Sequence, residues 1–284
     1  MLVCANKDKS ILTLYWTNPF AHGKIWTYHI LFIGESMNNP KDISKRQARR
    51  EEIRRREQRG RFIGIGLISL GAIFVAFLII YPNFKPVGAI TMPEAATRPN
   101  VKFNAAGNPN APIKIDEYSD FQCPYCANFY KETEGQLMKT LVADGTVYFV
   151  YHTFGEFIGS ESGSSAEAAY CAGDQEKFWE MHDILFSNQA GENQGGFADR
   201  RLVAFADKLG LDMNKFNTCF NANAHKDLIL KDGRDGQAAG VKATPSFVLS
   251  YTVNGTVKTK LIEGGQTIDA FKKEVSAALA EMGK

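Results

Sequence analysis

Apolar and polar positions are distributed unevenly along the chain, and the unevenness divides it. From Phe62 to Tyr81 it reads FIGIGLISLGAIFVAFLIIY, twenty residues without a charge. At about 1.5 Å per residue such a helix spans about 30 Å, the thickness of a bilayer core. It has no polar face to turn toward water. Residues 62–81 are therefore expected to form a single transmembrane signal-anchor helix. Gly64, Gly66 and Gly71 lack the four-residue spacing of a helix-dimerisation stripe.

After the apolar run, residues 82–112 are rich in Pro, Asn, Ala and Gly and read as a linker. Residues 113–284 alternate between strand and helix patterns. Ile113 to Tyr118 is a predicted strand, followed by a turn and a helix from Cys123 to about Ala143. Val147 to His152 is a second strand, rich in β-branched and aromatic residues. The stretch from Ser164 to about Gly240 reads as helical in several pieces. Ser246–Tyr251 and Thr256–Ile262 should pair around Asn254-Gly255, a strong hairpin signal. Thr267 opens a last helix. The order β-α-β, helical block, β-β-α predicts an α/β thioredoxin fold with a helical insertion at about 160–240, preceded by one N-terminal transmembrane helix.

Residues 1–36 contain scattered aromatics without a clear period, and Met37 precedes a polar segment that looks like a natural beginning. Translation is expected to start at Met37, with 1–36 an uncertain extension. Val87 and Ala89 are small enough for signal-peptidase cleavage, but the apolar run is longer than a usual signal-peptide core, so retention is expected.

Composition, 44% hydrophobic and 23% charged, is that of an ordinary globular protein and assigns no function. Charge is more informative. Residues 1–81 hold 13 Lys/Arg against 6 Asp/Glu, and residues 82–284 hold 20 against 25. Ten of the basic residues lie between Lys41 and Arg61, directly before the apolar run. That position favours a topology signal over a nucleic-acid site, so segment 37–61 is expected in the cytoplasm and everything after Tyr81 outside it. No nucleic-acid partner is expected.

Five cysteines remain to be placed. Cys4 precedes the apolar run; Cys123, Cys126, Cys171 and Cys219 follow it and share one side. Cys123-Pro124-Tyr125-Cys126 falls between a predicted strand and a predicted helix. A helix N-terminus stabilises a thiolate on the first cysteine, and the second lies one turn on, close enough to close a disulfide. Cys123 is expected as the exposed nucleophile and Cys126 as the resolving thiol. A structural zinc site needs about four ligands, and two are evident locally. Cys171 and Cys219 admit three readings: two buried thiols, a disulfide, or a metal site with His182 and His225. No resident metal or cofactor is expected. His152, His182 and the pair Phe178-Trp179 read as structural.

The ordered set of motifs resembles the DsbA-like family of bacterial thiol-disulfide oxidoreductases, particularly its membrane-tethered members, over about residues 105–280. It comprises Ile115-Asp116-Glu117-Tyr118-Ser119-Asp120-Phe121 before the CPYC, then Ala168-Ala169-Tyr170-Cys171-Ala172, Lys177-Phe178-Trp179 with His182-Asp183, and Gly240-Val241-Lys242-Ala243-Thr244-Pro245-Ser246-Phe247. The resemblance implies several roles. Thr244-Pro245 is expected cis, facing the CPYC and leaving the Thr244 backbone free to pair with a client chain. Glu117 is expected buried beneath Cys126 as its proton acceptor, with Asp116 and Asp120 as weaker candidates, although strand alternation alone allows Glu117 to face solvent. Cys171–Cys219 is expected as a structural bridge. Well-known oxidases of the family often carry His where Tyr125 stands, which leaves the direction of electron flow open.

Three functions compete. The first is an oxidase that places disulfides in cysteine-containing secreted proteins and is recharged by a quinone-linked membrane partner. The second is a reductase or isomerase, although the linker is too short for the separate dimerisation domain usual in isomerases of this fold. The third is a thioredoxin-like copper metallochaperone, whose family pattern is CxxxC with a remote His. Here the spacing is CxxC.

Overall fold

The basic run and the apolar run form one continuous helix, α1 (Pro40–Phe84). The helix expected at 62–81 thus begins about twenty residues earlier: Lys41–Arg61 is rich in Arg, Glu and Gln, with Glu51–Arg55 and Glu52–Arg56 four apart, and all of these favour a helix. Its residues Ser44–Tyr81 are long and apolar enough to cross a membrane, and the large apolar side chains of 62–81 are exposed along it. The computed structural model describes residues 11–16, 26–31, 40–84, 87–154 and 158–284, which fall into two units, 1–85 and 86–284. In the first unit, β1 (Ile11–Trp16) pairs antiparallel with β2 (Trp26–Leu31), although the sequence predicted no element before residue 37. Met37 lies outside the described residues.

The second unit is built on a sheet ordered β3-β5-β4-β6-β7. β3 is Ala105–Ala106, β4 Ile113–Ser119, β5 Val147–Thr153, β6 Ser246–Val253 and β7 Thr256–Glu263. β4 runs parallel to β5 and antiparallel to β6, which places it at the centre. Asn254 and Gly255 both take positive φ, 49° and 79°, and close the β6–β7 hairpin.

Between β4 and β5 lies one long helical segment: α2 (Pro124–Phe129), a π-helical turn Tyr130–Glu134, α3 (Gly135–Leu137) and a second π-helical turn Met138–Val142. The insertion contains α4 (Ser160–Gly173), α5 (Phe178–Ser187), α6 (Asp199–Lys208), α7 (Met213–Ala222) and α8 (Lys226–Ala238). α9 (Ile268–Glu281) follows the sheet, capped by the Thr267 hydroxyl, which accepts from the Ala270 N–H.

β4 divides two cores. Ile113 and Ile115 face a large cluster with Phe121, Cys126, Tyr151, Phe186 and Phe247, whereas Tyr118 joins Phe154, Val241 and Val248. The expectation that 82–112 is a linker, with the domain beginning at 113, is corrected for residues 87–112. β3 pairs with β5, and Phe103 stacks on Tyr170. The Arg98 side chain is 4% exposed, bonded to Glu134 and Asp183. A charged side chain so buried holds its segment against the domain, because leaving would strand two carboxylates.

Candidate active site

β4 ends at Ser119 and hands over to helix α2 through a turn in which the Gln122 N–H bonds the Asp120 carboxylate at 2.8 Å. Cys123 is the N-cap residue and Pro124 opens the helix, where its missing N–H leaves no bond unmade. The Gln189 amide donates to the carbonyls of Phe121 and Cys123 at 2.8 and 3.0 Å, pinning the turn to the insertion.

Both thiols are reduced. Cys123, expected to be exposed, is 5% exposed, which corrects that expectation. The loop ending at the cis Thr244–Pro245 bond packs over it, and the Thr244 carbonyl oxygen lies 3.3 Å from Sγ, accepting from the thiol. Cys126 is buried completely, and Tyr125 beside it is 69% exposed.

The environment splits the two sulfurs. Hydrogen bonding from the Cys126 thiol lowers the Cys123 pKa to about 6; burial opposes this, and the Thr244 side chain with the backbone N–H groups of Cys126 and Tyr125 assists. Burial and the neighbouring Cys123 sulfur push Cys126 well above the ordinary thiol value. At pH 7 a pKa of about 6 gives roughly ten thiolates per thiol at Cys123.

Glu117 points into the core on the Cys126 side of the sheet and is 1% exposed, so the solvent-facing orientation is excluded. Burial raises its pKa well above the usual carboxylate value, the Glu134 charge adds to this, and Ser119 and Arg98 pull the other way. Oε2 of Glu117 and Oε2 of Glu134 have no hydrogen-bond partner among the described residues. Asp116, the neighbouring residue, faces the opposite side and bonds His152 at 2.7 Å and Lys114 at 2.7 Å. Asp120 lies within the turn, and burial raises its pKa.

The structure adds groups that the sequence reading missed. Arg98 donates to Glu134 Oε1 at 2.6 Å and to both Asp183 oxygens at 2.6 and 2.9 Å, and His182 Nδ1 lies 2.9 Å from Asp183 Oδ1. Nothing in the Pro- and Ala-rich surroundings of Arg98 signalled it. Glu134 did leave a signal: Cys126, Tyr130, Glu134, Met138 and Val142 recur every four residues, and a carboxylate within such a stripe is a buried one.

Cys171 and Cys219 are joined by a disulfide. Of the two histidines weighed as metal partners, His225 stands beside the bridge and His182 belongs to the Arg98 cluster.

A family model described as Thioredoxin matches residues 100–275, more than half of the chain. Among curated proteins, the probable disulfide bond formation protein D of Bacillus cereus is 25% identical over 226 residues, 75% of this chain and 97% of that one. The Na(+)/H(+) antiporter NhaA 1 of Salinispora arenicola is 30% identical over 175 residues, 61% of this chain; the chain spans 24% of that relative's length. Among solved structures, oxidised BdbD from Bacillus subtilis aligns with TM-score 0.54 and 22% identity, covering 62% of this chain and 92% of that one. Alpha-DsbA1 of Wolbachia pipientis aligns with TM-score 0.55 and 19% identity, covering 63% and 92%. These two likenesses concern the fold.

Proposed function

The chain belongs to the thioredoxin family, and from that premise we propose that it is a membrane-anchored thiol-disulfide oxidoreductase working on cysteine-containing secreted proteins as an oxidase. The observation that carries the reading is the split of the two sulfurs, Cys123 lowered to about 6 and Cys126 raised. Stabilising the Cys123 thiolate stabilises the reduced pair, which makes its disulfide a stronger oxidant. The likeness to a probable disulfide bond formation protein over 97% of that protein's length supports the same direction.

In the oxidised enzyme, a client thiolate attacks Cys123 Sγ. The Cys123–Cys126 bond breaks, and Cys126 leaves as a thiolate that takes a proton from the carboxylic acid of Glu117. A second client thiolate then attacks the client sulfur of the mixed disulfide. The client gains its disulfide and Cys123 departs as a stable thiolate. Pro124 and Tyr125 set the helix start and the exposed surface at the sulfur, and the Thr244 backbone before Pro245 pairs with the client chain. A quinone-linked membrane partner takes the two electrons from the reduced pair. The basic run 41–61 remains in the cytoplasm and the catalytic domain lies outside the cell membrane.

The test is equilibration of the full chain in glutathione buffers of known potential, with refolding of a reduced client as the activity. An oxidase gives a potential well above that of thioredoxin and speeds client oxidation. Cys123→Ala loses all turnover, and Cys126→Ala accumulates mixed disulfides on non-reducing gels. A thioredoxin-like potential moves the function to reduction, and absence of adducts from Cys126→Ala refutes the assigned roles.

A further inference from the structure

The insertion gathers a second set of sulfur, nitrogen and oxygen donors that the redox reaction does not use. Cys171 lies in the last turns of α4, Asp174 caps that helix, Cys219 lies on α7 and His225 caps the start of α8. Donor atoms of Cys171, Cys219 and His225 all lie within 4.8 Å of one another. Asp174 Oδ2 is 2.8 Å from His225 Nε2 and 3.6 Å from Cys219 Sγ. The left-handed residue Asn223 (φ 48°) turns the chain between α7 and α8, and the His225 ring packs against Phe103 and Tyr170, which fixes its position. Around these, Glu167 Oε1 accepts the His225 backbone N–H at 2.9 Å and lies 3.5 Å from Cys171 Sγ.

Two sulfurs, an imidazole and a carboxylate are the donor types of a closed tetrahedral zinc centre. While the bridge is intact the sulfurs are neutral and poor ligands, so the site is latent. We propose that reduction of Cys171–Cys219 converts this cluster into a zinc-type metal site whose ligands are the two thiolates, His225 and Asp174, with Glu167 orienting His225 from outside. A dithiol reductant supplies two electrons: its sulfurs join in a disulfide, the Cys171–Cys219 bond breaks, and two thiols form. A divalent cation then binds both sulfurs and displaces their two protons to water. Sharing a tetrahedral zinc needs the sulfurs only about 3.8 Å apart, on Cα atoms that the bridge holds 5.8 Å from each other. The cation faces two thiolates and two carboxylates, and Cys219, His225 and Asp174 leave the site open to solvent on one side. The metal thereby replaces the bridge as the link between α4 and α7.

The test uses the full chain in detergent with Cys4→Ser, Cys123→Ser and Cys126→Ser, which leaves Cys171 and Cys219 as the only thiols. The protein is reduced with a phosphine and titrated anaerobically with Co²⁺. One equivalent should bind with the visible bands of tetrahedral cobalt and a thiolate charge-transfer band, be displaced by Zn²⁺, and be absent before reduction. His225→Ala should weaken binding at least tenfold, and Glu167→Ala, outside the ligand set but removing the acceptor of the His225 N–H, by about tenfold. Zn²⁺ should raise the Tm of the reduced protein and leave that of the oxidised protein unchanged, a readout that holds even if the reduced protein is weakly folded. Octahedral cobalt only, affinity indifferent to His225→Ala, or a reduced protein whose unfolding Zn²⁺ does not alter overturns the proposal. Each result is independent of whether Cys123 and Cys126 oxidise clients.

Discussion

Asp116 and Glu117 are adjacent on the central strand, yet they inhabit opposite environments. Asp116 faces a paired network: His152 Nε2 at 2.7 Å, Lys114 at 2.7 Å, and beyond His152 the Asp232 carboxylate at 2.9 Å, which also accepts a hydrogen bond from Tyr170. Burial alone would raise the Asp116 pKa, but these partners leave it lowered. Glu117 faces the Cys126 side, where the nearest charge that raises its pKa is another carboxylate, and its pKa goes up. Burial is common to both, so partners decide the sign. The paired face ties α4 and α8 to the sheet; the other face holds a carboxyl that burial and the Glu134 charge push well above the usual carboxylate range.

The largest effect should come from breaking the arrangement behind Glu117. Arg98→Met strands the buried carboxylates of Glu134 and Asp183, and chemical denaturation should register a loss of about 3–5 kcal/mol. A loss under 1 kcal/mol would mean that residues 87–112 are not held by this pair.

The paired face is tested by pH. Hydrogen bonds to Asp116 and Asp232 outweigh the burial cost and raise the His152 pKa to about 9, above its ordinary value of 6.5. The sign follows: its contribution is complete below about pH 6.5 and is lost as pH rises through about 9. It is worth on the order of 3 kcal/mol. Denaturation midpoints of the oxidised protein, in which Cys123 does not titrate, should fall across that window, and His152→Gln should flatten the fall. A parallel decline in the variant would assign it to other groups.

On the other face, Glu117→Gln tests the proposed proton transfer to Cys126. Mixed-disulfide formation by stopped flow should slow about a hundredfold while the Cys123 pKa stays near 6. Unchanged kinetics would exclude Glu117 from the proton transfer. The smallest effect is expected from Glu134→Gln, whose amide oxygen still accepts from Arg98. Removing its charge should move the Glu117-dependent limb of the pH profile to lower pH without loss of the limiting rate. A shift upward would contradict the assigned coupling.

Much of the fold was legible because its signals are local. The β-branched strands at 113–118 and 147–152, the Asn254-Gly255 turn and the Thr267 cap each rest on a few neighbouring residues, and the observed elements extend the predicted ones by one or two residues. The segment 87–112 was misread because its anchors are single residues, Arg98 and Phe103, whose partners lie 36 to 85 positions away. The strand-to-helix position of the Cys123–Cys126 tetrapeptide could be read directly, whereas the burial of Cys123 could not, since the loop covering it arrives 121 residues later.

The sequence by itself determined an apolar helix of membrane length, a helix start carrying two cysteines, and four cysteines beyond that span, because hydrophobic period, proline position and charge act over one turn or one strand. Tertiary structure alone decided which carboxylate is paired, what covers Cys123, and how far Cys123 departs from Cys126. A buried group's ionisation depends on the summed fields and hydrogen bonds of residues that meet only when the chain is folded.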